Sequence, residues 1–233
     1  DFVENITIRS FTEMLSDGPL DFQPGSRYQY SQAGGLDVVA RLIEITSNQP
    51  FNEFVQDNIF IPLDMHDTHW RVPNDKLARI VVISGGSKGG SKYPAYDTKF
   101  FSGSVGLIST ARDYLHFENM LLNQGEFLGK RILSEASVKL MSTNQTGDLY
   151  SKMEKVVEGS EGFGYTVAVT LDPEKALIKR GKGSFGWAGI AGTMSWTDPV
   201  NDINVVIMVQ QATKEFPADI ARVVFDSVGR ATK

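Results

Sequence analysis

Few residues in this chain could do chemistry. His66 and His69 stand in Asp64-Met65-His66-Asp67-Thr68-His69, a spacing that could be drawn as a metal site. No second cluster supplies the remaining ligands, and a polar loop after Ile61-Pro62-Leu63 is the better reading. His116 sits mid-helix beside Phe117 and reads as structural. The chain has no cysteine, which excludes disulfides, thiolate zinc sites and a cysteine nucleophile. A nucleophile elbow needs Gly-x-Ser-x-Gly after a strand. Ser104 in Ser102-Gly103-Ser104-Val105-Gly106 and Ser184 in Lys182-Gly183-Ser184-Phe185-Gly186 both miss that order. Residues 84–92, rich in Gly, Ser and Lys, look superficially like a phosphate loop. They fail the order Gly-x-x-x-x-Gly-Lys-Ser/Thr because Ser91 follows Gly90, so a solvated flexible loop is expected there.

Two further segments are more specific. One is Pro24-Gly25-Ser26-Arg27-Tyr28-Gln29-Tyr30-Ser31-Gln32-Ala33-Gly34. The other is Gly183-Ser184-Phe185-Gly186-Trp187-Ala188-Gly189-Ile190-Ala191-Gly192-Thr193. Together they resemble the second and third motifs of the serine β-lactamase-like hydrolases, the family of class C β-lactamases, DD-peptidases and family VIII carboxylesterases. Gly103-Ser104-Val105-Gly106-Leu107-Ile108-Ser109-Thr110-Ala111-Arg112-Asp113 resembles that family's Gly-Gly-Leu-x-Ser-Thr-Ala-x-Asp. Ile59-Phe60-Ile61-Pro62-Leu63-Asp64-Met65 resembles its Ile-Phe-x-Pro-Leu-Gly-Met. Each motif alone is weak; four in order along nearly the whole chain are strong.

The resemblance implies an acyl-enzyme mechanism on a carboxylic ester, with no metal or organic cofactor. In the family, a serine on a Ser-x-x-Lys helix attacks the acyl carbonyl and its proton needs a base. By position the base or relay is Tyr30, and Gln32 stands where the family has an Asn that orients substrate or lysine, with the same amide on a longer stem. The third-motif strand, Trp187 to Ile190, is expected to line the site opposite. Gly189 would let the backbone approach the ligand, and the Ile190 N–H would serve as one oxyanion-hole donor, an interaction that can be worth about 3 kcal/mol. Trp187 replaces the Lys or His of the lactamase and peptidase branches, which resembles the esterase branch and favours an apolar acyl group. A β-lactamase or DD-peptidase is the alternative activity, and a catalytically silent binding or scaffold protein of the same fold the alternative class.

The nucleophile is not in this chain. No serine is followed three residues on by lysine: Ser84 has Ser87 there, and Ser109 has Arg112. In the family the Ser-x-x-Lys helix lies upstream of the tyrosine motif, together with two early strands of the sheet. A missing N-terminal segment or a second chain is therefore the expected partner, beside a small-molecule ester or amide substrate, and the chain alone is expected to be inactive. A sheet lacking those strands would expose an edge.

The elements that position these residues can be read from the pattern. Residues 7–15 read as a helix capped by Thr7. Leu36, Val39, Leu42, Ile43 and Thr46 fall at helical spacing before a stop at 47–50, and a second helix from Phe51 to about Asn58 would bury Phe51, Phe54 and Val55. Both are expected as packed core elements. A helix from about Thr110 to Asn123 ends at Gly125, and 134–142 is a shorter one. Strands are expected at 164–170, 192–197 and 203–210, with a hairpin turn at 198–202. An amphipathic helix from Phe216 to Val228 closes the chain, with Ile220, Val223, Val224 and Val228 on one face. Helices first and an antiparallel sheet last make an α+β fold of the β-lactamase/DD-peptidase type, divided as a mainly helical part over 1–145 carrying the Tyr motif and a sheet part over 146–233, interlocked as one catalytic domain. The 233 residues suffice for a substantial core. A net charge of -5 offers no reason to expect nucleic acid as a partner, and no apolar stretch is long enough to span a membrane.

Overall fold

The computed structural model describes residues 6–31, 34–83, 99–211 and 215–231. The first helix, α1 (Ile8–Ser16), starts where a cap can be made. The Thr7 hydroxyl accepts the Ser10 N–H at 3.2 Å, and the Ser10 hydroxyl accepts the Thr7 N–H at 3.0 Å, so two otherwise orphaned donors are satisfied reciprocally. Helix α2 (Gly35–Ser47) ends at Asn48, which takes the left-handed conformation that Asn tolerates best after Gly. Helix α3 (Phe51–Val55) runs into one π turn, Gln56–Phe60. That continuation buries Phe51, Val55 and Phe60, with Phe54 half-buried against them.

One expectation about this half is corrected. α2 is not enclosed by core: it buries Asp37 and Ala40, with Ile43 half-buried, while Leu36, Val38, Val39, Leu42 and Ile45 are exposed. The helix is apolar around most of its circumference, a pattern that calls for cover on more than one side. Periodicity identifies such a helix without saying which side its neighbours reach.

Helix α4 (Ala111–Leu122) begins at Thr110, whose hydroxyl accepts the Asp113 N–H at 3.2 Å. It ends in a reversal at Gly125 (φ +97°), where a Cβ would lie 2.1 Å from the Leu133 carbonyl oxygen. Thr110→Ala is expected to cost about 1 kcal/mol, read as a lower urea midpoint at unchanged m-value; an unaltered midpoint would remove the cap from the account. After α4 come a small hairpin of β1 (Glu126–Phe127) and β2 (Lys130–Arg131), then α5 (Glu135–Met141), capped by Ser134. Strands of two residues show no alternation, so this hairpin left no trace in the sequence reading.

The sheet is an antiparallel meander in chain order: β3 (Glu161–Phe163), β4 (Ala168–Thr170), β5 (Phe185–Ala188), β6 (Met194–Asp198) and β7 (Ile203–Ile207). Helix α6 (Glu215–Ala231) follows. The single strand expected over 164–170 is instead a hairpin. Thr166 takes φ +70° and the Gly164 N–H donates to the Val167 carbonyl at 2.9 Å, so only 168–170 is strand and its partner lies before the turn. Of the later strands, β6 starts two residues later than expected and runs one residue further, to Asp198, while β7 ends at Ile207, inside its expected span. Met194, Trp196 and Ile207 pack on one sheet face against Ala221 of α6. Phe185 and Val169 join the larger core on the other face with Leu63, Trp70 and Met120, and there Thr197 meets Glu118 of α4. On α6, Ile220 and Val224 pack inward as expected, but Val223 is exposed; Ala221 takes the innermost place, where a small residue lets the helix approach the strands closely. The arrangement is α+β.

Candidate active site

Tyr30 follows α1 on an extended segment, and Trp187 projects from β5. Their rings stack, with centroids 5.8 Å apart and planes 29° from parallel. Trp187 also meets the Phe163 ring edge to face at 5.4 Å. Phe163 packs on Tyr28 at 5.1 Å and on Tyr150 at 5.0 Å. Two segments 157 positions apart in the sequence thus share one aromatic wall, built by offset and edge contacts that aromatic quadrupoles favour. Tyr30 remains 49% exposed and Trp187 36% exposed, so both are open to solvent. Tyr28 is half-buried, and that burial, with a smaller effect of nearby Tyr30, pushes its hydroxyl up to about 12. Burial and the Glu161 carboxylate raise Tyr150 further. Both inner tyrosines are therefore held in the phenol form across the neutral range.

Gln32 lies outside the described residues, as does the polar loop at 84–92. The expected strand from Trp187 to Ile190 is shorter than read: β5 stops at Ala188. Gly189 and Ile190 lie in a tight turn closed by Gly189 N–H to the Thr193 carbonyl at 2.7 Å and Gly192 N–H to the Gly189 carbonyl at 3.1 Å. A Cβ at Gly189 would lie 2.3 Å from the Thr193 hydroxyl, so the missing side chain here makes room for the turn itself. Ile190 is 82% exposed, and among the described residues no backbone acceptor takes its N–H.

A residue that sequence reasoning missed ties the site together. Asp37, fully buried in the first turn of α2, accepts four hydrogen bonds. They come from the Ser102 hydroxyl at 2.6 Å, the Gly103 N–H at 2.9 Å, the Ser104 hydroxyl at 2.9 Å and the Gly34 N–H at 3.0 Å. It thereby clamps the segment at 102–104 onto Gly34 and the start of α2. The signal in the sequence was an aspartate placed among apolar residues in a first helical turn, where the helix dipole favours a carboxylate. The clamp also settles Ser104, which donates to Asp37. Ser184 has its hydroxyl buried just before β5.

The histidines are structural in their contacts. His66 pairs with Asp64 at 2.6 Å, and the His116 Nδ1 lies 2.8 Å from the Leu63 carbonyl. The His69 ring lies 3.5 Å from the Lys76 ammonium, and burial together with that cation lowers its basicity. Among the described residues no three His, Cys, Asp or Glu side chains gather as a cation site. A cleft of about 470 Å³ lies elsewhere, with Asn52, Asp57, His69 and Trp70 on its walls; neither Tyr30 nor Trp187 borders it. No helix among the described residues is long and apolar enough to cross a membrane.

Comparison with known proteins bears on the family and the fold. A family model described as Beta-lactamase matches residues 3–228. Protein Rv1367c of Mycobacterium tuberculosis H37Rv is 31% identical over 209 residues, covering 84% of this chain and 52% of that protein. The chain thus spans about half the length of the curated relatives it matches. Among solved structures, EstCE1, a hydrolase with promiscuous acyltransferase activity, superposes with a TM-score of 0.74 at 20% identity, over 95% of this chain and 62% of its own. A penicillin binding protein from Bacillus halodurans gives 0.69 at 18%, over 94% and 63%. At these identities the two structures share the fold.

Proposed function

We propose that this chain, which belongs to the β-lactamase family and has its antiparallel-sheet fold, is the tyrosine- and sheet-bearing part of a serine hydrolase that cleaves carboxylic esters through an acyl-enzyme. The observation that carries the reading is the stacking of Tyr30 on Trp187, which joins the second- and third-motif positions on one partly exposed wall. In this reading Tyr30 takes the nucleophile's proton as base or relay and returns it to the leaving alcohol. Gln32 orients substrate by its amide. The exposed Ile190 N–H faces the developing oxyanion as one of its two donors. Trp187, where related lactamases and peptidases place a cation, offers an apolar face to the acyl group.

The nucleophile comes from outside these 233 residues, because no Ser-x-x-Lys exists within them. The segment that carries it is also the partner we propose for α2, whose apolar face at Leu36, Val39, Leu42 and Ile45 stands uncovered. This chain alone is then inactive. The test is hydrolysis of a short-chain nitrophenyl ester by this chain and by the full-length protein. Silence in the first and turnover in the second is the expected result. Turnover by this chain alone that disappears in Tyr30→Phe would overturn the external nucleophile.

A lactamase or peptidase is the second reading, favoured by the fold shared with a penicillin binding protein. A full-length protein that cleaves a chromogenic cephalosporin faster than the ester would establish it. Silence of the full-length protein toward both would leave a binding or scaffold role.

A further inference from the structure

Phe163, the last residue of β3, is the join of the aromatic wall. Among the described residues two rings meet Trp187, and their footing differs. Tyr30 stacks on it, but is itself exposed on an extended segment. Phe163 meets it edge to face, with centroids 5.4 Å apart and planes at 87°. The Phe163 ring also lies 5.1 Å from Tyr28 and 5.0 Å from Tyr150, and those two rings meet each other at 5.0 Å. Tyr150 is buried. The cluster thus runs from a closed triangle of rings with a buried corner to an exposed indole, and Phe163 is the link between them.

The backbone beneath that link is held on several sides. The Phe163 N–H donates to the Asn144 Oδ1 at 3.2 Å, and its carbonyl accepts the Gln145 N–H at 2.8 Å. Ala168 of β4 stands opposite it in the register. Asn144 is fixed in its turn, since its Oδ1 also accepts the Thr146 N–H at 3.1 Å and its Nδ2 donates to the Gly147 carbonyl at 2.7 Å. Both neighbours of Phe163 are glycines, and neither place admits a side chain. A Cβ at Gly162 would overlap the Asn144 side chain, and one at Gly164 the Met141 carbonyl. Gly162-Phe163-Gly164 is therefore a packed bracket that carries a single ring.

We propose that Phe163 is a positioning residue: its ring, anchored by the Asn144 bracket, fixes the tilt of Trp187 and so sets the preference of the wall for long over short acyl chains. The preference rests on the ester-cleaving reading above; the placement of Trp187 does not. An exposed side chain at a strand end keeps its rotamer freedom unless a neighbour removes it. Tyr30, itself open to solvent, offers no fixed support. The edge-to-face contact with Phe163 does, because it sets a positive ring edge against a negative ring face and is lost when the indole turns. A leucine at 163 would keep apolar contact without a preferred angle. Trp187 would then have to be ordered again each time an acyl chain lies on it, and affinity falls by that cost.

The first test reads Trp187 in this chain and needs no catalysis. The chain is labelled with 5-fluorotryptophan, and the Trp187 resonance is identified by its absence in Trp187→Phe. The ¹⁹F shift between light and heavy water reports its contact with solvent. In Phe163→Leu that solvent shift is expected to rise toward the value in urea-unfolded chain, while far-UV circular dichroism stays constant. Phe163→Tyr, which keeps the ring, should restore the wild-type value. An unchanged solvent shift in folded Phe163→Leu overturns the inference, and so does one that rises as far in Phe163→Tyr. Should Phe163→Leu fail to fold, Asn144→Ala makes the same test, because it loosens the bracket and leaves every ring in place; there an unmoved Trp187 overturns it. In the full-length protein, Phe163→Leu should raise KM for a nitrophenyl octanoate about tenfold more than for the acetate. Equal changes for the two esters would overturn the chain-length preference. Silence of the full-length wild type toward both would sink the ester reading, and the preference with it, while the solvent shift still decides whether Phe163 places Trp187.

Discussion

In the full-length protein, Tyr30→Phe is expected to lower kcat for a short-chain nitrophenyl ester by about 10²–10⁴-fold while KM changes little. The substitution removes one oxygen. The ring that stacks on Trp187 at 5.8 Å is kept, so the apolar wall and its packing on Phe163 survive. In the proposed mechanism what is lost is the group that accepts the nucleophile's proton, and such a loss is felt in the transition state and scarcely in the ground state. Trp187→Ala should act in the opposite way, raising KM more than it lowers kcat, because it removes the apolar surface proposed to contact the acyl group. A Tyr30→Phe enzyme within tenfold of wild-type kcat would take Tyr30 out of proton transfer and leave it as packing.

Asp37→Ala is expected to destabilise this chain by about 3–5 kcal/mol, measured by urea unfolding. The carboxylate is fully buried and receives two hydroxyl and two amide donors. Hydrogen bonds to a charged acceptor contribute about 1.5–3 kcal/mol each. The two hydroxyls can turn elsewhere, whereas the Gly34 and Gly103 N–H groups are fixed to the backbone and stay unsatisfied. The segment at 102–104 has little room to compensate, since a Cβ at Gly103 would already lie 2.5 Å from the Leu36 carbonyl oxygen. Asp37→Asn should cost less, about 2 kcal/mol, because one oxygen remains for Ser102 and Gly103 while the new amide opposes the Gly34 N–H. A loss below about 1 kcal/mol for Asp37→Ala would mean that water replaces the carboxylate and that the clamp is incidental.

The sequence by itself determined the helix starts and the identity of the motif residues. Thr7, Thr110 and Ser134 cap the helices they precede, because a cap is an interaction among four consecutive residues and its chemistry is written locally. The turn at 198–202 was legible for the same reason: Asp198 accepts the N–H groups of Val200 and Asn201. The four ordered motifs likewise announced the family, since residue types at fixed spacing survive without any knowledge of packing.

What only the tertiary structure decided are the contacts made across long separations. The face of α2 that finds a neighbour, the turn that takes Gly189 and Ile190 out of β5, and the hairpin at 164–167 each depend on what another segment contributes. Hydrophobic spacing cannot contain that information, because burial is a property of a pair of surfaces and the partner surface is absent from the local window. Asp37 and Glu118 make the point most sharply. Each sits in a helix whose pattern merely tolerates it, and each is kept only because Ser102 and Ser104, or Thr197, arrive from more than 60 positions away to donate to a buried carboxyl that would otherwise be too costly to keep.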